Sequence, residues 1–134
     1  MTDALPETRT LKILIVDDNE GARGMLKQYL GGSAREFREC EDGAEALAAY
    51  EEFQPDWVLM DWQMKRVNGL VATGRILKKF PAAAIMMVTT FDEKELRQAA
   101  CEAGARGFVS KDDLLSLPSL LQINEETSST SFSA

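Results

Sequence analysis

The sequence predicts an α/β domain built on a doubly wound, five-stranded parallel sheet with helices on both faces. Three observations carry that prediction. Near-continuous apolar runs at residues 11–16, 57–60 and 84–88 read as strands buried on both sides, because a half-exposed strand would alternate polar with apolar residues. Between these runs lie segments with the i, i+3, i+4 apolar spacing of amphipathic helices. Strand and helix patterns alternate throughout, which yields a parallel sheet with right-handed crossovers.

Residues 1–9 read as a loose lead-in, 10–124 as one domain, and the Ser/Thr-rich stretch 125–134 as a disordered tail. The first strand, 11–16, ends in the acidic turn Asp17-Asp18-Asn19-Glu20, which can cap the next helix. That helix carries the stripe Ala22, Met25, Leu26, Tyr29 and Leu30, and Gly31-Gly32 stops it. A weaker strand around 37–40 alternates with Arg38 and Glu39, as an edge strand would. Asp42-Gly43 turns into a helix over 44–53 with an inner face of Ala44, Leu47, Ala48 and Tyr50, ended by Pro55. The strand 57–61 follows, then a helix over about 70–80 closed by Pro81. The fourth strand, 84–88, finishes in Thr89-Thr90, and Asp92 caps a helix to Ala103. Residues 107–109 form a short fifth strand that ends in Ser110-Lys111. Residues 112–116 read as a turn. Pro118 disfavours α conformation at Leu117 and suits the first position of a last helix reaching about residue 126. Five βα units of this kind fit the flavodoxin-like order 2-1-3-4-5, with a switch point between strands 1 and 3.

Composition narrows the function. The 134 residues are 45% hydrophobic and 28% charged, as in an ordinary globule, with a formal net charge of −7. The negative balance and the lack of a Lys/Arg tract argue against nucleic-acid binding by this chain. With no histidine there is no imidazole base or imidazole metal ligand. Cys40 and Cys101 form neither a CxxC pair nor a disulfide framework and read as small buried hydrophobes in a reducing cytoplasm. No apolar run has the length of a membrane span, and the first residues lack the basic start of a signal peptide, so the expected location is cytoplasmic.

Four strands end in polar residues of particular kinds: Asp17-Asp18, Asp61, Thr89 and Lys111. The topology sends all four ends to one sheet edge, at the switch point where α/β proteins bind their ligands. Each residue alone has an ordinary explanation as a helix cap, a turn residue or a surface charge. Their joint placement does not. Three carboxylates persist together only with a bound cation or a retained proton. Oxygen ligands alone point to Mg²⁺, with Mn²⁺ a close substitute, and a carboxylate can serve as the nucleophile that becomes an aspartyl phosphate.

The motifs ILIVDDNE, VLMD, MVTT and GARGFVSKDD resemble those of the receiver domain of two-component response regulators, over roughly residues 11–123. The resemblance implies that Asp61 accepts a phosphoryl group from a phosphohistidine on a sensor histidine kinase or histidine phosphotransfer protein. Asp17, Asp18, Asp61 and the main-chain carbonyl of Gln63 would hold Mg²⁺. Thr89 and Lys111 would engage the phosphoryl group, and Phe108, at the aromatic switch position, is expected to lean inward. Gln63 and Phe91 occupy the rate-tuning positions, with Phe91 hindering attack by water. The face formed by helix 4, strand 5 and the last helix would contact a downstream protein. The family loop usually reads Met-Pro, whereas here Met64 precedes Lys65-Arg66. Loss of Pro loosens the backbone by about 0.4–1 kcal/mol, and the two charges read either as a simple solvated loop or as a modest aid to docking an acidic or phosphorylated partner.

Two other functions fit less well. A haloacid-dehalogenase-type phosphatase needs a second Asp two residues after its nucleophile, where Gln63 stands here. A flavin or nucleotide module would place a Gly/Ser/Thr-rich phosphate loop after the first strand, where this chain has acids.

Overall fold

The computed structural model describes residues 10–31, 35–64, 66–90 and 94–121. Along the chain run β1 (Leu11–Val16), α1 (Glu20–Leu30), β2 (Arg35–Cys40), α2 (Gly43–Phe53), β3 (Trp57–Asp61), α3 (Gly69–Lys79), β4 (Ile85–Thr89), α4 (Lys94–Ala103), β5 (Gly107–Ser110), a 3₁₀ segment (Lys111–Ser116) and α5 (Leu117–Leu120). The strands pair in parallel in the order β2-β1-β3-β4-β5, which is the predicted topology. The lead-in 1–9, the tail 125–134, the cap Asp92 and the far end of the last helix lie outside the described residues.

Strand side chains alternate between two cores, one on each face of the sheet. Leu14, Val16, Val58, Met60, Ile85 and Met87 pack under α2, α3 and α4, through Ala46, Tyr50, Phe53, Ala72, Ile76 and Ala100. Ile13, Ile15, Leu59, Met86, Val88 and Val109 pack under α1 and α5, through Leu26, Leu30, Leu117 and Leu121. Apart from the half-buried Lys12 on β1, the central strands are therefore apolar up to their carboxyl ends, as burial on both faces requires. Local caps fix where the helices start. Asn19 Oδ1 accepts the Ala22 N–H at 2.8 Å, Asp42 Oδ1 the Ala44 N–H at 2.7 Å, and Asn68 Oδ1 the Val71 N–H at 3.0 Å.

Several expectations need correction. On α1 only Leu26 and Leu30 of the predicted stripe are buried among the large residues, whereas Met25 and Tyr29 are exposed; the third buried position is Arg23. On α2 the inner face is Ala46, Tyr50 and Phe53; Ala44 and Ala48 are exposed and Leu47 is half-buried. Gln54, which the following Pro55 bars from α conformation, ends α2 in the left-handed region at φ 52°. Residues 112–116 belong to consecutive 3₁₀ turns, interrupted at Asp113, rather than to a simple turn. Leu117 is α-helical (φ −60°, ψ −45°) despite preceding Pro118, because it is wholly buried and Pro118 falls in the first turn, where no N–H is needed. Cys40 is buried, as expected, with burial pushing its thiol pKa up; Cys101 is exposed.

Candidate functional site

The register of the sheet assembles the site. Val16 pairs with Met60, Asp61 with Val88, and Thr89 with Ser110. Asp17, Asp61, Thr89 and Lys111 therefore leave four neighbouring strands at one edge. With Asp18, Asn19, Gln63 and Thr90 they line a single cleft of about 200 Å³. Sequence reasoning brought these residues together, and so does the fold. Phe108 lies apart from the cleft, half-buried against the α2–α4 core, with the Arg97 guanidinium 4.8 Å above its ring. Phe91 lies outside the described residues.

Asp17 and Asp61 are buried, Asp18 is half-buried, and one carboxylate oxygen from each lies within 4.8 Å of the others. Lys111 bridges two of them, with Nζ 2.9 Å from Asp17 Oδ2 and 3.2 Å from Asp61 Oδ1. Burial, and then the neighbouring Asp17 carboxylate, push the Asp61 pKa up to about 6, against the pull of Lys111. Burial alone would lower Lys111, but the hydrogen bond to Asp17 and the attraction of Asp61 outweigh it and hold the ammonium above its ordinary value. The donor set consists only of oxygens, matching a hard divalent cation and not a thiolate- or imidazole-bound one.

The backbone under the acids is braced by a residue that sequence reading missed. Arg23, buried on the inner face of α1, donates from Nη1 to the Asp17 carbonyl at 2.7 Å and from Nε to Glu39 at 2.7 Å. Lys27 also donates to Glu39, at 2.5 Å. These hydrogen bonds, from Lys27 and then Arg23, lower the Glu39 carboxyl pKa, and the bond to Glu39 raises that of Arg23. The Asp17 N–H in turn donates to the Cys40 carbonyl at 3.0 Å. The first acidic turn is thus tied to β2 from two sides. An apolar stripe interrupted by one arginine six residues after Asp17 was the available signal.

The end of β3 is equally close-fitting. The Gly69 N–H closes a turn onto the Trp62 carbonyl at 2.8 Å. A Cβ on Gly69 would collide with the Asp61 carbonyl, and one on Gly43 with the Val67 carbonyl. Glycine is needed at both positions for close backbone approach. Arg66 donates from Nε to Asp42 at 2.7 Å and lies 3.7 Å from Glu45, while its side chain stays largely exposed. Lys65, the other half of that predicted docking pair, lies outside the described residues.

Among the described residues no helix is long and apolar enough to cross a membrane. Comparison with known proteins points to one family. Residues 13–122 match the family model for the response regulator receiver domain. The chain is 39% identical over 101 residues to the chemotaxis protein CheY of Halobacterium salinarum, covering 75% of this chain and 83% of that protein. It is 35% identical over 104 residues to the response regulator protein VraR of Staphylococcus aureus, covering 76% of this chain but 50% of that one. Among solved structures, the chemotaxis protein CheY4 of Vibrio cholerae superposes with a TM-score of 0.78 at 27% identity, over 85% of this chain and 98% of that one. On sequence, topology and the acids gathered at its strand ends, the chain belongs to the response regulator receiver family of two-component signalling.

Proposed function

We propose that this receiver accepts a phosphoryl group on Asp61 from a phosphohistidine of a sensor histidine kinase or histidine phosphotransfer protein. The observation that carries the reading is the buried Asp61 carboxylate, paired with Lys111 and crowded by Asp17 and Asp18. In the transfer, an Asp61 oxygen forms a bond to phosphorus as the phosphorus–nitrogen bond breaks, and the electron pair stays on the departing imidazole. Lys111 supplies positive charge to the moving group from one side. Thr89, buried at the end of β4, offers a hydroxyl to it. Asp17, Asp18, Asp61 and the Gln63 carbonyl would hold Mg²⁺, or Mn²⁺, which would neutralise charge and orient the phosphoryl oxygens.

The chain acts in this reading as a switch and not as a turnover enzyme. At the rate-tuning position 63 it carries an exposed Gln, which is no general base for hydrolysis. Output would pass through the face of α4, β5 and α5. There Lys94, Glu95, Arg97 and Gln98 are solvent-accessible, and Arg97, Ala100, Cys101 and Phe108 help line a hollow of about 260 Å³. The test is labelling with acetyl phosphate and Mg²⁺, read by mass spectrometry. The native chain should gain one phosphoryl group and Asp61→Asn none; an adduct retained in the variant would overturn the assignment.

A further inference from the structure

We infer that Arg66 is a positioning residue, whose ion pair with Asp42 holds the loop after β3 in the form that presents the Gln63 carbonyl to a divalent cation. The inference rests on the metal reading proposed above. Among the described residues of the loop, Trp62 and Met64 pack against the core, Gln63 is exposed, and Asn68 and Gly69 are fixed by the α3 cap and the turn onto Trp62. The middle of the loop has no proline, so its position depends on tertiary contacts. Among the described residues these contacts include Val67, pressed against Gly43, and Arg66, reaching across to Asp42 and towards Glu45.

Asp42 is well suited to anchor such an arm. It is buried, and its two oxygens have separate duties: Oδ1 caps α2 at Ala44 and Oδ2 receives Arg66. The Ala44 N–H and then Arg66 hold its carboxyl below the usual range, so it stays charged across the physiological span. Arg66 is largely exposed, and a pair with one exposed partner contributes little to global stability. Its effect is on where the loop sits.

Charge and position predict opposite signs, which makes the inference testable. Arg66 is a cation beside an acidic site. If it acted through charge alone, its removal would tighten Mg²⁺ binding. If it positions the loop, Arg66→Ala should weaken binding, by roughly three- to tenfold against the 10–100-fold typical of groups that hold a metal ligand directly. The dissociation constant is read from melting temperature against Mg²⁺ concentration, with hydrogen exchange of the loop amides as a second readout. Arg66→Ala should speed exchange around residues 63–68 while leaving the strands protected, and its melting temperature in EDTA should stay within about 2 °C of the native chain. Arg66→Lys, which keeps the charge but reaches less far, should fall between the two. Asp42→Asn keeps the cap and loses the ion pair; combined with Arg66→Ala it should loosen the loop no further than Arg66→Ala alone. A native chain stabilised by Mg²⁺ together with an Arg66→Ala variant of equal or tighter affinity would overturn the inference. A native chain indifferent to Mg²⁺ would instead remove the metal reading on which it stands.

Discussion

Neutralising Asp61 should stabilise the metal-free protein, even though Asp61 is the proposed phosphoryl acceptor. Its carboxyl titrates near 3.8 when unfolded and is pushed up to about 6 in the native state, by burial first and by Asp17 second. A group whose pKa is raised on folding adds stability while protonated, and that contribution disappears as pH rises through the folded value. Two pKa units correspond to about 3 kcal/mol, lost between roughly pH 4 and 6. Asp61 is 6% exposed, so solvent screening does little to reduce the figure. Asp61→Asn keeps the shape and removes the charge. At pH 7.5 in EDTA it should melt higher than the native chain, by on the order of 10 °C for a domain of this size. The gap should close as pH falls towards 4, where the native carboxyl is itself neutral. It should narrow again at pH 7.5 when Mg²⁺ is added, since the ion would favour the charged form. Differential scanning calorimetry at pH 4.5, 6 and 7.5, with and without Mg²⁺, decides it. A variant no more stable than the native chain at pH 7.5 in EDTA, or a gap that widens towards acid, would refute the reasoning.

Lys111→Met removes the cation that bridges Asp17 and Asp61; it should melt lower in EDTA and show a larger Mg²⁺-induced rise than the native chain, and a smaller rise would count against the cluster as the metal site. Arg23→Met, which strips Glu39 and the Asp17 carbonyl of their buried donor, should lower unfolding free energy by about 2–3 kcal/mol in a urea titration. Gly69→Ala forces a methyl against the Asp61 carbonyl and should destabilise by about 1–3 kcal/mol or more, whereas Gly74→Ala, on the same helix with open space around it, should stabilise by up to about 1 kcal/mol in the same assay.

The parts of this fold that could be read in the sequence are those encoded locally. A strand buried on both faces announces itself as an apolar run, and the residue that ends the run is then placed at the sheet edge. That is why β1, β3 and β4 and the acids after β1 and β3 were legible. Helix phase was less so. Four alanines between positions 44 and 49 mark no face, and only the triplet Ala46, Tyr50 and Phe53 reveals the one that is buried. On α1 the inward stripe is Arg23, Leu26 and Leu30, and a charge among its members hid the true register. The Arg66–Asp42 pair joins residues 24 positions apart, and nothing in either local pattern announces it. Proline rules failed at Leu117 because full burial of that side chain outweighed a local preference.

What the sequence does carry over distance is charge, because charges add whatever the path of the chain. Asp17, Asp18 and Asp61 bring three negative charges to the cleft and Lys111 returns one, leaving two, which is the charge of a single divalent cation. Without a cation, burial and the repulsion of Asp17 raise the affinity of Asp61 for a proton. The same imbalance that makes Asp61 hold a proton would make it welcome a metal and, once the metal screens its neighbours, an incoming phosphoryl group. Replacing Asp17 or Asp18 should therefore do more than delete a ligand. It should shift the protonation of Asp61, so the acids are best compared in double-mutant cycles at fixed pH and not by single losses.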